Sequence, residues 1–394
     1  MTSDVLEHAD WNYPTLIAVG AGRIRELSER CLALGIRAPL LVTDPGLASL
    51  PMLNAIESAC LDAGLAIACF SEIQGNPTGE NVAKGVDCFK RGNHDGVIAL
   101  GGGSALDAGK AIAFLSGQER PLWDFDDVDD NWMRAREDGI APIIAVPTTA
   151  GTGSEVGRVS VITDTADLRK RLIFHPRILP GAVILDPELT VSLPPHLTAA
   201  TGMDALSHNL EAYCSPRYHP MADGIALEGI RRVKEYLPRA VTDGGDLEAR
   251  TQLLVASTMG ATAFQKGLGA MHALAHPLGA RYDAHHGLLN AILMPYVLHA
   301  NRPAIEVRLA DLARALNLTT SSFDAVFDWV LALREEVGIP ARLLDIGIDA
   351  DEASFIGERA AEDPPAATNP ISFSAGQYSA LFCNAVNGTF EAVS

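Results

Sequence analysis

The sequence predicts an α/β domain built on a parallel sheet, followed by an all-helical domain. Two observations predict this fold class. Short apolar runs rich in β-branched residues alternate with helix-period segments through the first half of the chain. From Pro194 onward the helix-period segments continue without comparable strands. We therefore place a domain boundary near residue 188, with an α/β domain over 1–187 and a helical domain over 188–394.

Most predicted strands of the first half are followed by a segment with helical periodicity, which is the pattern of a parallel sheet covered by helices. In chain order the strands are TLIAV, PLLVTD, LAIACF, GVIAL, IIAVPTT, RVSVITD and GAVILDP. A proline ends the last of them. The helices predicted beyond it include HLTAATGMDALSHNLEAY, GIALEGIRRVKEYL, ARTQLLVASTMGATAF and VRLADLARAL.

The composition is that of an acidic globular protein. The chain has 394 residues, 48% of them hydrophobic, and a formal net charge of −19. This charge would repel phosphate backbones and anionic lipids, so we expect neither nucleic acid nor a membrane as a partner. No basic start followed by an apolar run indicates secretion, and the six cysteines show no CxxC pairing. These features predict a cytoplasmic protein with reduced thiols.

A carboxylate and several imidazoles are concentrated in one part of the chain: Asp204, His208, His272, His276 and His286. The first two are four residues apart, as are the next two, so each pair would lie on one face of a helix. Such a set can surround one divalent cation and leave a position for an exogenous oxygen, as a catalytic site requires. The alternative is a group of ordinary core or surface histidines. We leave His285 outside the site because adjacent residues of a helix or tight turn point apart.

A glycine-rich turn follows the strand GVIAL and leads into a helix. Gly101, Gly102, Gly103 and Ser104 would let the backbone approach an anion, and the start of the helix offers unpaired N–H groups. The GxGxxG fingerprint fails because Leu106 occupies its sixth position, and the Walker A pattern fails too, which disfavours an ATP-driven enzyme. The alternative is a tight strand-to-helix connection without a ligand.

A second turn rich in glycine and hydroxyl groups follows another buried strand, in VPTTAGTGSEVGR. Two such turns at the carboxyl ends of strands in one sheet describe a ligand crevice and favour phosphate binding. The small or hydroxyl-bearing residues of this turn are Thr148, Thr149, Gly151, Thr152, Gly153 and Ser154.

Taken together, these motifs resemble the iron-containing, or group III, alcohol dehydrogenases. GGGSxxD, PTTAGTGSE, VITD, ILDPELT, the DAxxH pair and the HxxxHPLGxxxxxxHG run appear in the family's order from about residue 70 to 290. The resemblance implies a Rossmann-like NAD(P)-binding domain and an all-helical metal domain, in an architecture shared with dehydroquinate synthase. It also implies reversible hydride transfer between a small alcohol and its aldehyde or ketone.

The resemblance assigns roles to the matching residues. As metal ligands it implies Asp204, His208, His272 and His286, with His276 as an unligated catalytic histidine near the nicotinamide. Around the cofactor it implies Gly102, Gly103, Ser104 and Asp107 at the pyrophosphate, Thr148, Thr149 and Ser154 in the second loop, Lys170 near the ribose, and Pro77 and Thr78 near the nicotinamide. Lys170 lies between Arg169 and Arg171, and a solvated charged turn explains those two arginines equally well. Fe²⁺ is the first expectation for the metal, ahead of Zn²⁺ and Mn²⁺.

Asp44 ends the strand PLLVTD, where a carboxylate can accept from the ribose 2′-hydroxyl and would repel a 2′-phosphate. The family has an aspartate there in its NAD-preferring members. The alternative is an N-cap followed by proline at the first helical position, Pro45, and both roles can hold together. We therefore expect NAD in preference to NADP.

Three positions depart from the family's pattern, beginning with Gly109, where the family commonly has alanine. Ile371 follows Asn369-Pro370 where the family has arginine, so the contribution of that region to the site is open. Arg158 follows SEVG where many relatives have threonine. A bidentate arginine suits an anionic substrate, such as a semialdehyde that bears a carboxylate or sulfonate. The alternative is that Arg158 pairs with a carboxylate of this acidic protein.

The sequence therefore predicts an NAD(P)-dependent, metal-assisted alcohol dehydrogenase, with a homodimer or higher oligomer expected by analogy. One rival is an NAD-using lyase or cyclase of the dehydroquinate synthase type, whose cofactor would emerge unchanged. The other is a non-catalytic protein that binds a metal or a nucleotide, which would explain either motif alone.

Overall fold

The structure is a computed structural model that describes residues 13, 15–167 and 169–393. The chain divides into two compact units. The first unit contains residues 15–193 and Gly244–Thr258, and the second contains residue 13, Pro194–Asp243 and 259–393. The single boundary expected near residue 188 stays a prediction.

A parallel sheet of six strands forms the centre of the first unit, in the order β1-β8-β5-β4-β2-β3. The strands are β1 Leu16–Val19, β2 Pro39–Val42, β3 Ala68–Phe70, β4 Gly96–Gly101, β5 Ile143–Pro147, β6 Val159–Asp164, β7 Arg169–Phe174 and β8 Ala182–Leu185. Strands β2, β4, β5 and β8 are buried along their whole length, which accounts for their continuous apolar sequences.

The strand predicted at RVSVITD forms but lies outside the parallel sheet. As β6 it pairs antiparallel with β7, which begins in the basic run that the sequence suggested as a turn. The interpretation of Arg171 as part of a solvated turn is wrong, because its Nη1 lies 2.8 Å from Asp126 Oδ2 and its Nε 2.8 Å from Asp164 Oδ2. Asp126 is buried in this pairing. Charge pairing, which periodicity does not reveal, therefore permits a strand here.

Helices cover the sheet and account for the second unit. Those of the first half are α1 Leu27–Ala33, α2 Pro45–Ala48, α3 Pro51–Asp62, α4 Gly79–Arg91 and α5 Gly103–Leu115. The later ones are α6 Pro195–Cys214, α7 Pro220–Thr242, α8 Leu247–Ala263, α9 Ala270–Tyr282, α10 His286–Ala315, α11 Phe323–Glu336, α12 Ala353–Glu362 and α13 Ala375–Asn387. The predicted fold class, a parallel α/β part followed by a helical part, is confirmed.

One apolar core lies between the sheet and the helices of the first unit. Strand residues such as Ile98, Ile144 and Ile184 contribute to it, together with Leu27 of α1 and Leu53 of α3. Each is at most 3% exposed, and a fully buried side chain of this size contributes roughly 1.5–3 kcal/mol. This packing fixes the ends of the strands, from which the functional loops start.

Helix α6 lies at the centre of the second unit. It is buried from Thr198 to Cys214 and packs against α7 and α10. A helix enclosed on all sides can direct polar side chains only toward partners inside the protein. Among the residues that the structure describes, no helix is both long and apolar enough to span a membrane.

Candidate metal centre and nucleotide cradle

Four side chains converge in the second unit: Asp204, His208, His272 and His286. Each offers one ligand atom, and these atoms all lie within 4.8 Å of one another. Helix α6 supplies the first two from one face, α9 supplies the third, and α10 begins with the fourth. The structure thus brings together the four residues that the family resemblance implied as ligands. His285, which the sequence left outside, is exposed and caps α10 by accepting from the Leu288 N–H.

A close approach of two helices makes this convergence possible. A Cβ atom at Gly287 would lie 2.6 Å from the Ala200 carbonyl oxygen and 3.0 Å from Asp204 Cβ. Because the first distance is below any normal contact, a larger residue would push the start of α10 away from α6. Gly287 therefore allows His286 to reach the same point as Asp204.

A buried carboxylate orients one of the imidazoles. Glu211 Oε2 lies 2.6 Å from His272 Nδ1, and Glu211 Oε1 accepts from the Met271 N–H at 2.7 Å. Burial lowers the pKa of His272, but the carboxylates of Glu211, Asp204 and Asp363 together raise it by more, so the net shift is upward. Because a carboxylate only accepts, Nδ1 carries the proton and Nε2 is left for the cluster.

The fifth histidine of the motif lies beside the cluster. The His276 ring is 5.5 Å from that of His286 and 6.0 Å from that of His272, measured between centroids. Its Nδ1 lies 3.0 and 3.1 Å from the two carboxylate oxygens of Asp363, just after α12. His276 is thus held by a carboxylate of its own and is not among the four converging ligands.

Sequence reasoning missed three partners of this cluster. Glu211 follows Asp204 by seven residues and His208 by three, so helical spacing could have placed it on the same face. Asn290, four residues after His286, carried the same signal. No sequence signal pointed to Asp363, because it follows His276 by 87 residues.

The chemistry of the donor set fits a divalent transition metal. Three imidazoles and one carboxylate suit Fe²⁺, Zn²⁺ or Mn²⁺, and four protein ligands leave coordination positions free on the metals that prefer six. Asp204, His208 and His272 are at most 4% exposed, so the donors are withdrawn from competing water. The carboxylate behind His272 is the kind of outer partner that metal-bound histidines usually have.

The first unit forms a cradle where three neighbouring strands end. Strands β2, β4 and β5 are adjacent and parallel, and Gly101 at the end of β4 is level with Pro147 at the end of β5. The Thr148 N–H donates to the Gly101 carbonyl at 2.9 Å. Gly101 has φ +145°, a backbone conformation that strongly favours glycine. The two turns singled out in the sequence are therefore neighbours.

Small residues keep the helix start of this cradle open. Gly102 is the N-cap of α5, Gly103 is its first residue and Ser104 its second. A Cβ atom at Gly103 would lie 2.5 Å from Thr152 Cγ2, and one at Gly102 would lie 3.4 Å from Thr149 Cγ2. Backbone N–H groups at the start of a helix, flanked by hydroxyl groups, suit a pyrophosphate.

A buried lysine holds the second turn against α5. Lys110 is 1% exposed. Its Nζ donates to the carbonyls of Ser154, at 3.0 Å, and Val159, and lies 3.1 Å from Asp107 Oδ1. Asp107 also accepts from Ser154 Oγ and from the Val161 N–H. Asp107 and Ser154, both expected at the cofactor, are thus joined to each other inside the protein.

The turn expected on the nicotinamide side is attached to the antiparallel pair of strands β6 and β7, the β6–β7 ribbon. Pro77 accepts from the Thr163 N–H at 2.7 Å, and Thr78 caps α4 in a reciprocal pair with Asn81. Lys170 is directly opposite Thr163 in the β6–β7 pairing. The structure thus brings Pro77, Thr78 and Lys170 to one edge of the first unit.

Asp44 follows β2 and caps α2 by accepting from the Leu47 N–H at 3.0 Å, with Pro45 at the first helical position. Its second oxygen would lie 3.6 Å from a Cβ atom on Gly101. The N-cap role is therefore present, and the carboxylate also lies beside the glycine-rich turn.

Glu155, in the second turn, is fully buried and accepts from Thr258 Oγ1 of α8 at 2.8 Å. Burial raises its pKa. This contact ties the turn to the segment Gly244–Thr258, which explains why that segment belongs to the first unit.

Arg158 follows the second turn and is partly buried. Its guanidinium lies 5.5 Å from the centre of the Phe174 ring, and burial lowers its pKa. Within residues 15–167 and 169–393, no carboxylate pairs with it. The other arginine of this region, Arg177, is exposed and lies 3.3 Å from Glu137.

A candidate metal centre and a phosphate cradle in one chain are typical of metal-using, dinucleotide-binding enzymes. Sequence profiles define the family within this class: the one described as iron-containing alcohol dehydrogenase matches residues 14–187, and the one for the C-terminal part of that family matches 198–386. The chain belongs to the iron-containing alcohol dehydrogenase family. It is an alcohol–aldehyde oxidoreductase, and the predicted family and enzyme class are confirmed.

Individual relatives match this chain over more than nine-tenths of its length. A 4-hydroxybutyrate dehydrogenase of Cupriavidus necator is 41% identical over 93% of this chain and 97% of its own. A crystal structure of 1,3-propanediol oxidoreductase superposes with a TM-score of 0.91 at 35% identity, covering 96% of this chain and 100% of that one. A sulfoacetaldehyde reductase of Bifidobacterium kashiwanohense, solved with NAD⁺, gives 0.87 at 28% identity over 96% and 99%.

Proposed function

We propose that this protein interconverts ω-hydroxy acids and their semialdehydes, with NAD as the hydride carrier and Fe²⁺ as the metal. The observation that carries the choice of substrate is Arg158. A cation withdrawn from water without a carboxylate partner is costly, and an anionic ligand offsets that cost. Among the relatives, the names of the 4-hydroxybutyrate dehydrogenase and the sulfoacetaldehyde reductase specify substrates with a carboxylate and a sulfonate.

The four converging side chains, Asp204, His208, His272 and His286, are the residues that would hold the metal. When bound, a divalent cation supplies a Lewis acid that lowers the pKa of an alcohol. Glu211 keeps His272 in the tautomer whose Nε2 faces the cluster. His276, oriented by Asp363, can carry a proton at its second nitrogen.

The residues of the cradle would bind the dinucleotide. Gly102, Gly103 and Ser104 present N–H groups to the pyrophosphate, and Thr148 and Thr149 line the neighbouring turn. Asp107 and Ser154 hold the two turns together from inside, and Pro77, Thr78 and Lys170 form the adjoining edge. A homodimer is part of the proposal by analogy with related folds.

Asp44 gives a test of the preference for NAD. The wild-type protein is expected to have a kcat/KM for NAD about 10-fold or more above that for NADP, because the carboxylate repels a 2′-phosphate. Asp44→Ser removes the charge but keeps an N-cap, so it should reduce the preference without a loss of Tm. Asp44→Ala should reduce it and also lower stability by about 1 kcal/mol. Steady-state kinetics with both cofactors measures this, and equal turnover of NAD and NADP by the wild type would contradict it.

The substrate proposal is tested with matched pairs of alcohols, one with a terminal carboxylate and one with a neutral amide. We expect steady NADH formation, with kcat/KM for the carboxylate about 10²-fold higher, because a charged hydrogen bond in a partly buried site contributes roughly 1.5–3 kcal/mol. Arg158→Leu should remove most of this difference and leave the neutral alcohol unaffected.

Arg177→Leu is the matched control, since it removes an exposed arginine that already has a carboxylate partner. It should behave as the wild type with both alcohols. If Arg158→Leu keeps the preference for the carboxylate, the assignment of Arg158 is wrong. If neither alcohol yields NADH, the proposal of ω-hydroxy acid substrates is wrong.

A further inference from the structure

One amide of α10 lies where the lone pairs of the metal cluster meet. Asn290 is fully buried. Its Nδ2 lies 2.8 Å from Asp204 Oδ1, 3.2 Å from His272 Nε2 and 3.1 Å from His286 Nε2. Three of the four atoms that would hold a cation are thus within hydrogen-bond distance of a single nitrogen.

The chemistry of this contact resembles that of a cation. An amide nitrogen carries two hydrogens and no lone pair to offer, so the atoms around it must accept. The imidazoles accept only if their protons are on the other nitrogen, and for His272 this agrees with the contact between Nδ1 and Glu211. The amide therefore selects the same tautomers and the same inward orientation that a metal needs.

The other end of the amide is left unsatisfied. Asn290 Oδ1 is buried and has no hydrogen-bond partner among the residues that the structure describes. An unmade hydrogen bond of this kind costs about 1–3 kcal/mol. An apolar side chain of the same size would avoid this cost but would offer no N–H donor to the three acceptor atoms.

We propose that Asn290 is a positioning residue of the metal centre. Its two amide hydrogens are shared among Asp204 Oδ1, His272 Nε2 and His286 Nε2, and they keep these atoms turned toward one point until a cation takes over the lone pairs. The proposal rests on the assignment of these residues as metal ligands. It goes beyond that assignment, because Asn290 itself is not proposed as a ligand and affects the reaction only through cation affinity and loading.

The test measures metal binding directly. Asn290→Leu keeps the volume of the side chain but removes the N–H groups. For Zn²⁺ in competition with a chromogenic chelator, we expect its Kd to rise about 10- to 100-fold, the range found when outer partners of metal ligands are lost. We also expect the Co²⁺-loaded variant to have a changed visible spectrum, because the ligands are held less tightly.

A second variant has a distinct expected signature. Asn290→Asp places a negative charge beside Asp204 and removes the donor, so the metal-free protein should lose stability through repulsion. Added Zn²⁺ should relieve this repulsion, and the rise in Tm on metal addition should exceed that of the wild type. This variant decides the question if Asn290→Leu does not fold.

Asn384→Ala is the matched control, since it removes another buried amide of the same unit, bonded to the Glu391 carbonyl and to Thr389. It should lower Tm equally with and without Zn²⁺. A Zn²⁺ Kd for Asn290→Leu within twofold of the wild type would overturn the proposal. If the wild type itself binds neither Zn²⁺ nor Co²⁺, the assignment of the metal centre is wrong. This result differs from one in which only the role of Asn290 is wrong, because the wild type then still binds metal.

Discussion

Replacing either Asp204 or His272 with alanine is expected to abolish metal retention and turnover together. Each supplies one of four ligand atoms within 4.8 Å of one another, and three remaining ligands hold a cation far less firmly. The charge stabilisation that a metal ion supplies is worth several kcal/mol, so kcat should fall roughly 10³-fold or more.

His276→Ala is expected to lower turnover without loss of the metal. His276 is not one of the converging ligands, and its contact is with Asp363. The variant should therefore keep its metal but lose about 10²-fold in kcat, as expected when a group that carries a proton is removed.

Metal content after anaerobic purification and dialysis, measured beside kcat on the same samples, checks both expectations. His285→Ala is the matched control, because it removes the adjacent histidine, which is exposed and serves as an N-cap. It should retain metal and activity. Metal loss in His276→Ala, or full activity of Asp204→Ala after chelation, would show that the ligand assignment is wrong.

The fold could be predicted because its signals are local. Strands such as β4 are buried along their whole length, so their apolar runs are continuous, and the glycine-rich turns after β4 and β5 mark the ends of strands. The β6–β7 ribbon was predicted only in part. Its second strand begins with three basic residues, and Arg171 becomes compatible with a strand only through Asp126 and Asp164.

The candidate metal centre could be predicted where helical spacing brings residues together. Asp204 and His208 share one face of α6, and His272 and His276 share one face of α9. Spacing says nothing of contacts between distant segments. Asp363 therefore had no signal, although it is what fixes the ring of His276.

Lys110, in the cradle, also makes contacts with distant segments that residue spacing does not reveal. The Walker A pattern, which would give Lys110 a role in phosphate binding, fails in this sequence. In the structure its Nζ has three acceptors for its three hydrogens: the carbonyls of Ser154 and Val159 and the carboxylate of Asp107. No periodicity indicates such a contact, because two of the acceptors are backbone atoms of the second turn and of the first residue of β6, more than 40 residues away.

Removing this ammonium group is expected to have the second large effect. Lys110→Met keeps the apolar stem but leaves the Asp107 carboxylate without its cation and two carbonyls without a donor. Breaking a buried pair by removing one partner costs about 3–5 kcal/mol. The turn that contains Thr148 and Thr149 also loses its attachment to α5, so the KM for NAD should rise about 10-fold or more.

Denaturant unfolding and steady-state kinetics with varied NAD measure the two parts of this prediction. Lys84→Met is the matched control, because the Lys84 ammonium is exposed and lies 2.9 Å from Glu80. A surface pair of this kind contributes about 0–1 kcal/mol, so the control should leave both stability and the KM for NAD nearly unchanged. If Lys110→Met lowers stability but binds NAD as the wild type does, the lysine supports the fold without shaping the cradle. If it changes neither quantity, the buried network does not hold the second turn in place.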